Sequence, residues 1–191
     1  MHPYNYNIMK NETGTTPKFK TKSSITSDPA LNQLFLDGIM DLYWAENHLV
    51  KTLPKMITAA TSSALVKAIT NHLKETEGHV SRLENIFQLL GKEAIAKKCN
   101  AMEGLAKEGE EIIESTKAGT ATRDVGIILA SQKVEHYEIA SYGGLLQLSV
   151  TLGLTDVAAL LEQTLDEEKA ADTLLTEVAE DEVNYTAAEE S

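Results

Sequence analysis

The sequence predicts an all-α protein: an up-down four-helix bundle with a long crossover between the second and third long helices. Three observations predict it. Ala and Leu are abundant in a chain that is 42% hydrophobic but only 5% aromatic, a balance that favours helices over strands. Four segments of roughly 25–30 residues repeat apolar residues at the helical period. The breaks between these segments are short except for one, which has room for an extra short helix. At 191 residues the chain is long enough for one domain with a substantial core.

Residues 1–28 lack periodicity and are rich in Thr, Ser and Lys, so they are expected to be disordered. The first long helix starts at Ser27 or Asp28, with Pro29 in its first turn, and continues to about Ala60. Its stripe is Leu31, Leu34, Phe35, Leu42, Leu49 and Leu53, and Pro54 is a candidate kink. Thr61-Ser62-Ser63 turns the chain and caps the second helix, about residues 63–90. That stripe reads Leu65, Ile69, His72, Thr76, His79, Leu83, Ile86 and Leu90, and Gly91 stops it. A shorter amphipathic helix over Lys97–Ser115 lies in the crossover and lets the second and third long helices run in the same direction. The third runs over about residues 123–150 and the fourth over about 155–179. The bundle domain is therefore 29–179. Residues 180–191 form an acidic tail that is expected to be mobile.

Each long helix carries acid on or beside its apolar stripe. The first has Glu46, the third Glu135 and Glu138, and the fourth Glu168 and Asp172. On the second, Glu75 stands beside the stripe, three residues from His72 and four from His79. All lie near the middle of their helices and would share one layer. Ionised carboxylates cannot share a dry layer without cations. Oxygen donors with imidazole suit iron or manganese, and bundles that hold two metals take their ligands from facing helices in this way. The candidate metal ligands are Glu46, Glu75, Glu135, Glu138, Glu168, Asp172, His72 and His79, for two ions per chain. The bland readings are that an acid pairs with a nearby Tyr or Lys, that Asp172 only accepts a hydrogen bond, and that the histidines are satisfied core residues. His136, about 100° around the helix from Glu135, is read as an interface or supporting residue or as a ligand, His48 as surface, and Cys99 as packing or a reactive thiol. Tyr43, Tyr137 and Tyr142 are read as packing residues, or as a hydrogen-bond donor to a ligand.

Five stretches carry a resemblance: Tyr43-Trp44-Ala45-Glu46, His72-Leu73-Lys74-Glu75-Thr76, Lys98-Cys99-Asn100-Ala101-Met102-Glu103-Gly104-Leu105, Val134-Glu135-His136-Tyr137-Glu138-Ile139-Ala140, and the run from Thr164 to Asp172. Over about Leu31–Ala179 the chain resembles the ferritin-like bacterial stress proteins of the YciE/YciF type. The resemblance implies a ferritin-like bundle, a homodimer and expression under stress. A more distant similarity is to rubrerythrin-type di-iron bundles, whose third helix also carries two acids three apart. Here neither the second nor the fourth helix has a strict Glu-x-x-His, since positions 78 and 171 are Gly and Ala.

The formal charge of −12 excludes the basic face that non-specific nucleic-acid binding needs. No apolar run reaches membrane-span length and no secretory leader is legible, so a cytoplasmic protein is expected. One cysteine gives no intrachain disulfide. No nucleophilic triad, phosphate loop or dinucleotide fingerprint competes. Two functions fit the residues. One is a di-metal oxidoreductase that handles oxygen or peroxide as a small oxidant. The other is a non-enzymatic structural or binding stress protein whose acids and histidines only stabilise it. An iron-storage cage is the weaker third.

Overall fold

The computed structural model describes residues 28–190, so the expectation of disorder for residues 1–28 falls, Asp28 apart, outside the described residues. The described chain forms α1 (Pro29–Ala59), α2 (Ser63–Leu89), α3 (Asn100–Ser115), α4 (Ala121–Thr151), α5 (Thr155–Val178), a π-helical turn (Ala179–Val183) and α6 (Asn184–Glu189). No strand occurs among the described residues. The all-α bundle expected from the sequence is the fold observed.

Local chemistry starts the helices as expected. Asp28 Oδ1 accepts from the Ala30 amide at 3.0 Å and Pro29 occupies the first helical position. Ser62 caps α2 and Thr120 caps α4 through their side-chain oxygens. At the C-terminus of α4 the chain closes with Leu154 N bonded to Ser149 O at 2.9 Å and Gly153 N to Val150 O at 3.1 Å. Gly153 adopts φ 74° there, a left-handed conformation that favours glycine. Gly91 ends α2 in the same way at φ 64°. Pro54 sits inside α1 without ending it.

The short turns make α1 antiparallel to α2 and α4 antiparallel to α5, and the crossover through α3 makes α2 and α4 parallel. The helices enclose two apolar clusters, one towards each end of the bundle. Phe35, Ile39 and Leu42 of α1 meet Leu83, Ile86 and Phe87 of α2 and Leu161 of α5 at one end. At the other end, Leu49 and Leu53 of α1 meet Leu65 and Ile69 of α2, Ile127 and Ile128 of α4, and Leu175 of α5. Burying a side chain of this size contributes about 1.5–3 kcal/mol, so the two clusters dominate the favourable side of folding. The layer between them holds the acids.

The acidic tail departs from expectation. It continues α5 through the π-helical turn into α6, and Val183 is buried against the core. Glu190 then reaches the start of α4, where its carboxylate accepts from the amides of Ala121 at 2.6 Å and Thr122 at 3.0 Å. An anion is favoured there because those first amides have no partner within the helix and the helix dipole is positive. A carboxylate of the tail, that of Glu190, is what docks its end.

Candidate metal centre

Six side chains from the four long helices converge in the middle layer: Glu46 from α1, His72 and His79 from α2, Glu135 and Glu138 from α4, and Glu168 from α5. All are buried, His72 least so at 7% exposure. Their placement follows from helical spacing. His72 and His79 are seven residues apart, two turns along the inner stripe of α2, and Glu135 and Glu138 are neighbours on one face of α4. The ligand atoms fall into two groups, each spanning no more than 4.8 Å. One is His72, Glu135, Glu138 and Glu168; the other is Glu46, His79 and Glu168. Glu168 belongs to both.

Within the second group His79 Nδ1 lies 2.9 Å from Glu168 Oε1 and 3.4 Å from Glu46 Oε1. Tyr142 donates to the same Glu46 oxygen at 2.5 Å. In the first group His72 Nε2 is 3.5 Å from Glu135 Oε1. These contacts leave most of the site unsatisfied. Among the described residues, nine buried side-chain polar atoms have no hydrogen-bond partner, and all nine belong to these six residues. They include both oxygens of Glu138, both oxygens of Glu168 and both ring nitrogens of His72. An orphaned buried group costs about 1–3 kcal/mol, and here the cost is concentrated in one place.

The protonation preferences show how the protein tolerates this. Burial, with Glu168 nearby, pushes Glu135 and Glu138 well above the ordinary carboxylate range. Burial also raises Glu46, against the pull of His79. Glu168 goes the other way, because His79 and His72 outweigh its burial. Burial opposes charge on His79, yet Glu168 and Glu46 lift its pKa to about 10. Burial lowers His72 below the usual imidazole value. Without a cation, then, Glu168 is paired with His79, while burial works against charge on Glu135, Glu138 and His72. A donor set of carboxylates and imidazoles with free lone pairs converging within 4.8 Å fits a metal.

Two of the eight sequence-predicted ligands lie outside the convergence. The Glu75 side chain is 47% exposed and comes no nearer to His72 Nδ1 than 3.9 Å. It stands beside the α2 stripe, and the two histidines on the stripe take the inner positions. Asp172 sits one turn beyond Glu168, where it accepts from Gln132 at 3.3 Å and meets His136 Nε2 at 3.3 Å. His136 itself is largely exposed, and His48 stacks on Trp44. Tyr137 donates to Asp41 at 2.6 Å and contacts the buried Cys99 Sγ at 3.0 Å. Both are thereby engaged away from the acids.

Sequence reasoning missed Glu167 and Arg82. His79 Nε2 is 2.9 Å from Glu167 Oε2, and Arg82 forks onto both oxygens of Glu167 at 2.8 and 3.1 Å. The carboxylate fixes the ring so that Nδ1 faces the cluster, the usual way a ligating histidine is oriented. The legible signal was a pair of matched spacings: His79 and Arg82 three apart on α2, Thr164 and Glu167 three apart on α5, with Arg82 bonded to both Thr164 and Glu167.

Comparison with known proteins identifies the family and agrees with the fold. Residues 30–188 match the family model described as Domain of unknown function (DUF892). Protein YciF of Escherichia coli K12 is 42% identical over 158 residues, covering 82% of this chain and 95% of YciF. The crystal structure of that E. coli stress protein superposes with a TM-score of 0.78 at 41% identity, over 82% of this chain and 99% of YciF. YcfI from Rhodopseudomonas palustris follows with a TM-score of 0.74 at 38% identity, covering 83% of this chain and 98% of its own. Protein XCC3681 of Xanthomonas campestris, at 21% identity and a TM-score of 0.64, shares the fold. No described helix is long and apolar enough to cross a membrane. With the family model covering nearly all of the bundle and YciF matched almost end to end, the chain belongs to the DUF892 family of YciF-type proteins.

Proposed function

We propose that this protein is a stress-response protein that holds two iron or manganese ions in its mid-bundle layer and uses them towards a small oxidant, oxygen or peroxide. The observation that carries the reading is the confinement of all nine orphaned buried polar atoms to six convergent ligand-type side chains. Glu168, shared by both groups, would help to hold an ion at either position. Glu46 and His79 would complete one; His72, Glu135 and Glu138 would complete the other. Bound ions of this kind supply an open coordination position and redox equivalents. The chain's own part is to exclude bulk water with the apolar clusters on either side, to hold His79 through Glu167, and to hold Glu46 through the Tyr142 hydroxyl. The stress assignment comes from YciF, which is described as a stress protein.

Native purification followed by elemental analysis tests the site. About two ions per chain are expected, both lost on Glu168→Ala and at least one on Glu135→Ala. Absence of iron, manganese and zinc, or full retention of metal by both variants, overturns the proposal. The Glu168–His79 contact among acids whose burial favours the protonated form supports a second reading, in which the layer shares protons and only stabilises the fold. That reading predicts no bound metal and no phenotype when single acids are replaced by Gln.

A further inference from the structure

Beside the acidic layer, towards the α3 side of the bundle, lies a cavity of about 150 Å³. Its deep walls are Leu53, Met56, Ile69, Leu105, Gly109 and Val134. Its inner edge is His72 and Glu135, and its mouth opens between α2 and α5, at Asn71 and Glu75 on one side and Ala171 and Leu174 on the other. Small residues keep it open: Ala68, Ala106 and Ala130 also line it, and any larger aliphatic there would fill it. At Gly109 even a methyl would stand 2.4 Å from Met56 Cε and displace that side chain.

We propose that this cavity binds a small, uncharged, apolar organic molecule about the size of toluene, with its inner end against His72 and Glu135. The size follows from the volume, since apolar cavities of this order remain dry and take up benzene-sized guests. The polarity follows from the lining. No Lys or Arg lines it, so no cationic side chain meets a carboxylate or phosphate, and Glu75 at the mouth disfavours anions. The Thr52 hydroxyl, which also lines it, is spent on the carbonyls of His48 and Leu49. A guest therefore finds apolar walls and one polar edge, the arrangement of a small-molecule site. The ligand class stands on the cavity alone. That the guest meets a metal rests on the proposed function, because His72 and Glu135 belong to both.

Methyl-resolved NMR of the full chain, with toluene as the probe, tests the proposal in metal-free and manganese-loaded protein. Saturable shifts are expected at the methyls of Met56, Ile69 and Leu105 in both forms, with added line broadening of toluene in the manganese form. Ala130→Leu, which fills the cavity from α4, should weaken toluene by about tenfold or more. Ala171→Phe at the half-exposed mouth should slow its exchange without altering the melting temperature. No shift up to the solubility limit of toluene in folded protein overturns the proposal, as do equal shifts in folded Ala130→Leu. Binding without any metal uptake leaves the cavity standing and defeats the proposed function. Metal uptake without toluene binding does the reverse.

Discussion

Two places in this bundle bury carboxylates, and they do it in opposite ways. Asp124, near the start of α4, is 2% exposed, and three donors meet it: the Thr61 amide at 2.8 Å, the Thr61 hydroxyl at 2.6 Å and the Ser62 amide at 2.7 Å. It ties the α1–α2 turn to α4. Glu138, at 0% exposure, has no donor on either oxygen. A buried acid with a full set of donors is a structural fastener; one without them waits for something the chain does not supply. Burial alone, the property visible as a break in an apolar stripe, does not separate the two.

Removing each acid should therefore have opposite consequences, and this is the largest effect expected. Asp124→Ala takes the shared acceptor from two amides and a hydroxyl of the α1–α2 turn, whose Thr61 is exposed and whose Ser62 is half-buried, and should lower folding stability by about 1–3 kcal/mol. Bound metal per folded molecule should not change. Glu138→Leu removes an unpartnered acid from a dry site, and metal-free protein should be unaffected or gain up to about 2 kcal/mol, while metal binding at the His72 side is lost. Denaturant unfolding of the chelator-treated proteins measures both. If both substitutions destabilise metal-free protein equally, the contrast between the sites is wrong.

The pH response sharpens the same comparison. Glu135 and Glu138 have folded values raised by burial, so their contribution to stability is full below the unfolded carboxylate value and is lost as pH rises above it. His79, lifted to about 10 by Glu168 and Glu46, contributes fully below the ordinary imidazole value of about 6.5 and loses that contribution as pH climbs towards 10. Glu168 is lowered, so its contribution is lost only on acidification below the ordinary carboxylate range. His72, lowered by burial, works the other way up to the ordinary imidazole value, so metal-free protein should lose stability most clearly from about pH 6.5 to pH 10. Metal loading must displace these protons, so apparent affinity should rise over the same interval. Melting curves with and without manganese across this range check it, and parallel curves would argue against metal at this layer.

A smaller effect is expected one contact further out. Glu167→Gln keeps the size of the side chain but weakens its hold on His79 Nε2 and Arg82. Replacing such an orienting carboxylate costs about 10- to 100-fold in metal affinity, and the loss should fall on the Glu46–His79 position. A competition titration with a coloured chelator resolves the two positions, and equal weakening at both would show that Glu167 acts on the fold instead.

The helices and the identity of the acidic layer were legible because both rest on period. Glu46, Glu135 and Glu168 interrupt apolar stripes at the same depth, and no tertiary information is needed to see that. Glu75 lies outside the convergence because spacing of three and four residues to His72 and His79 describes a neighbour on the helix surface, while the inward direction belongs to the stripe itself. Glu167 was missed because it is adjacent to Glu168, about 100° around the helix, and its role depends on α2 lying beside α5. The tail was misread because its acids have no bases nearby in sequence; the positive end of α4 that receives Glu190 is contributed by backbone amides, which composition does not display.

Glu75 gives the comparison its finest edge. It carries the same charge as Glu168 and stands within 3.9 Å of a cluster histidine, yet nearly half of its side chain is in water. Water can satisfy it in either state of the site, so it has no need of a cation and little to lose without one. Glu75→Gln should leave both metal positions within about fivefold of the parent in affinity, since exposed ion pairs are worth only about 0–1 kcal/mol. A loss as large as that from Glu168→Ala would mean that metal draws Glu75 inward. The ligand set would then include the acid that sequence spacing nominated, and exposure in the metal-free chain would cease to be a guide to which carboxylates the site recruits.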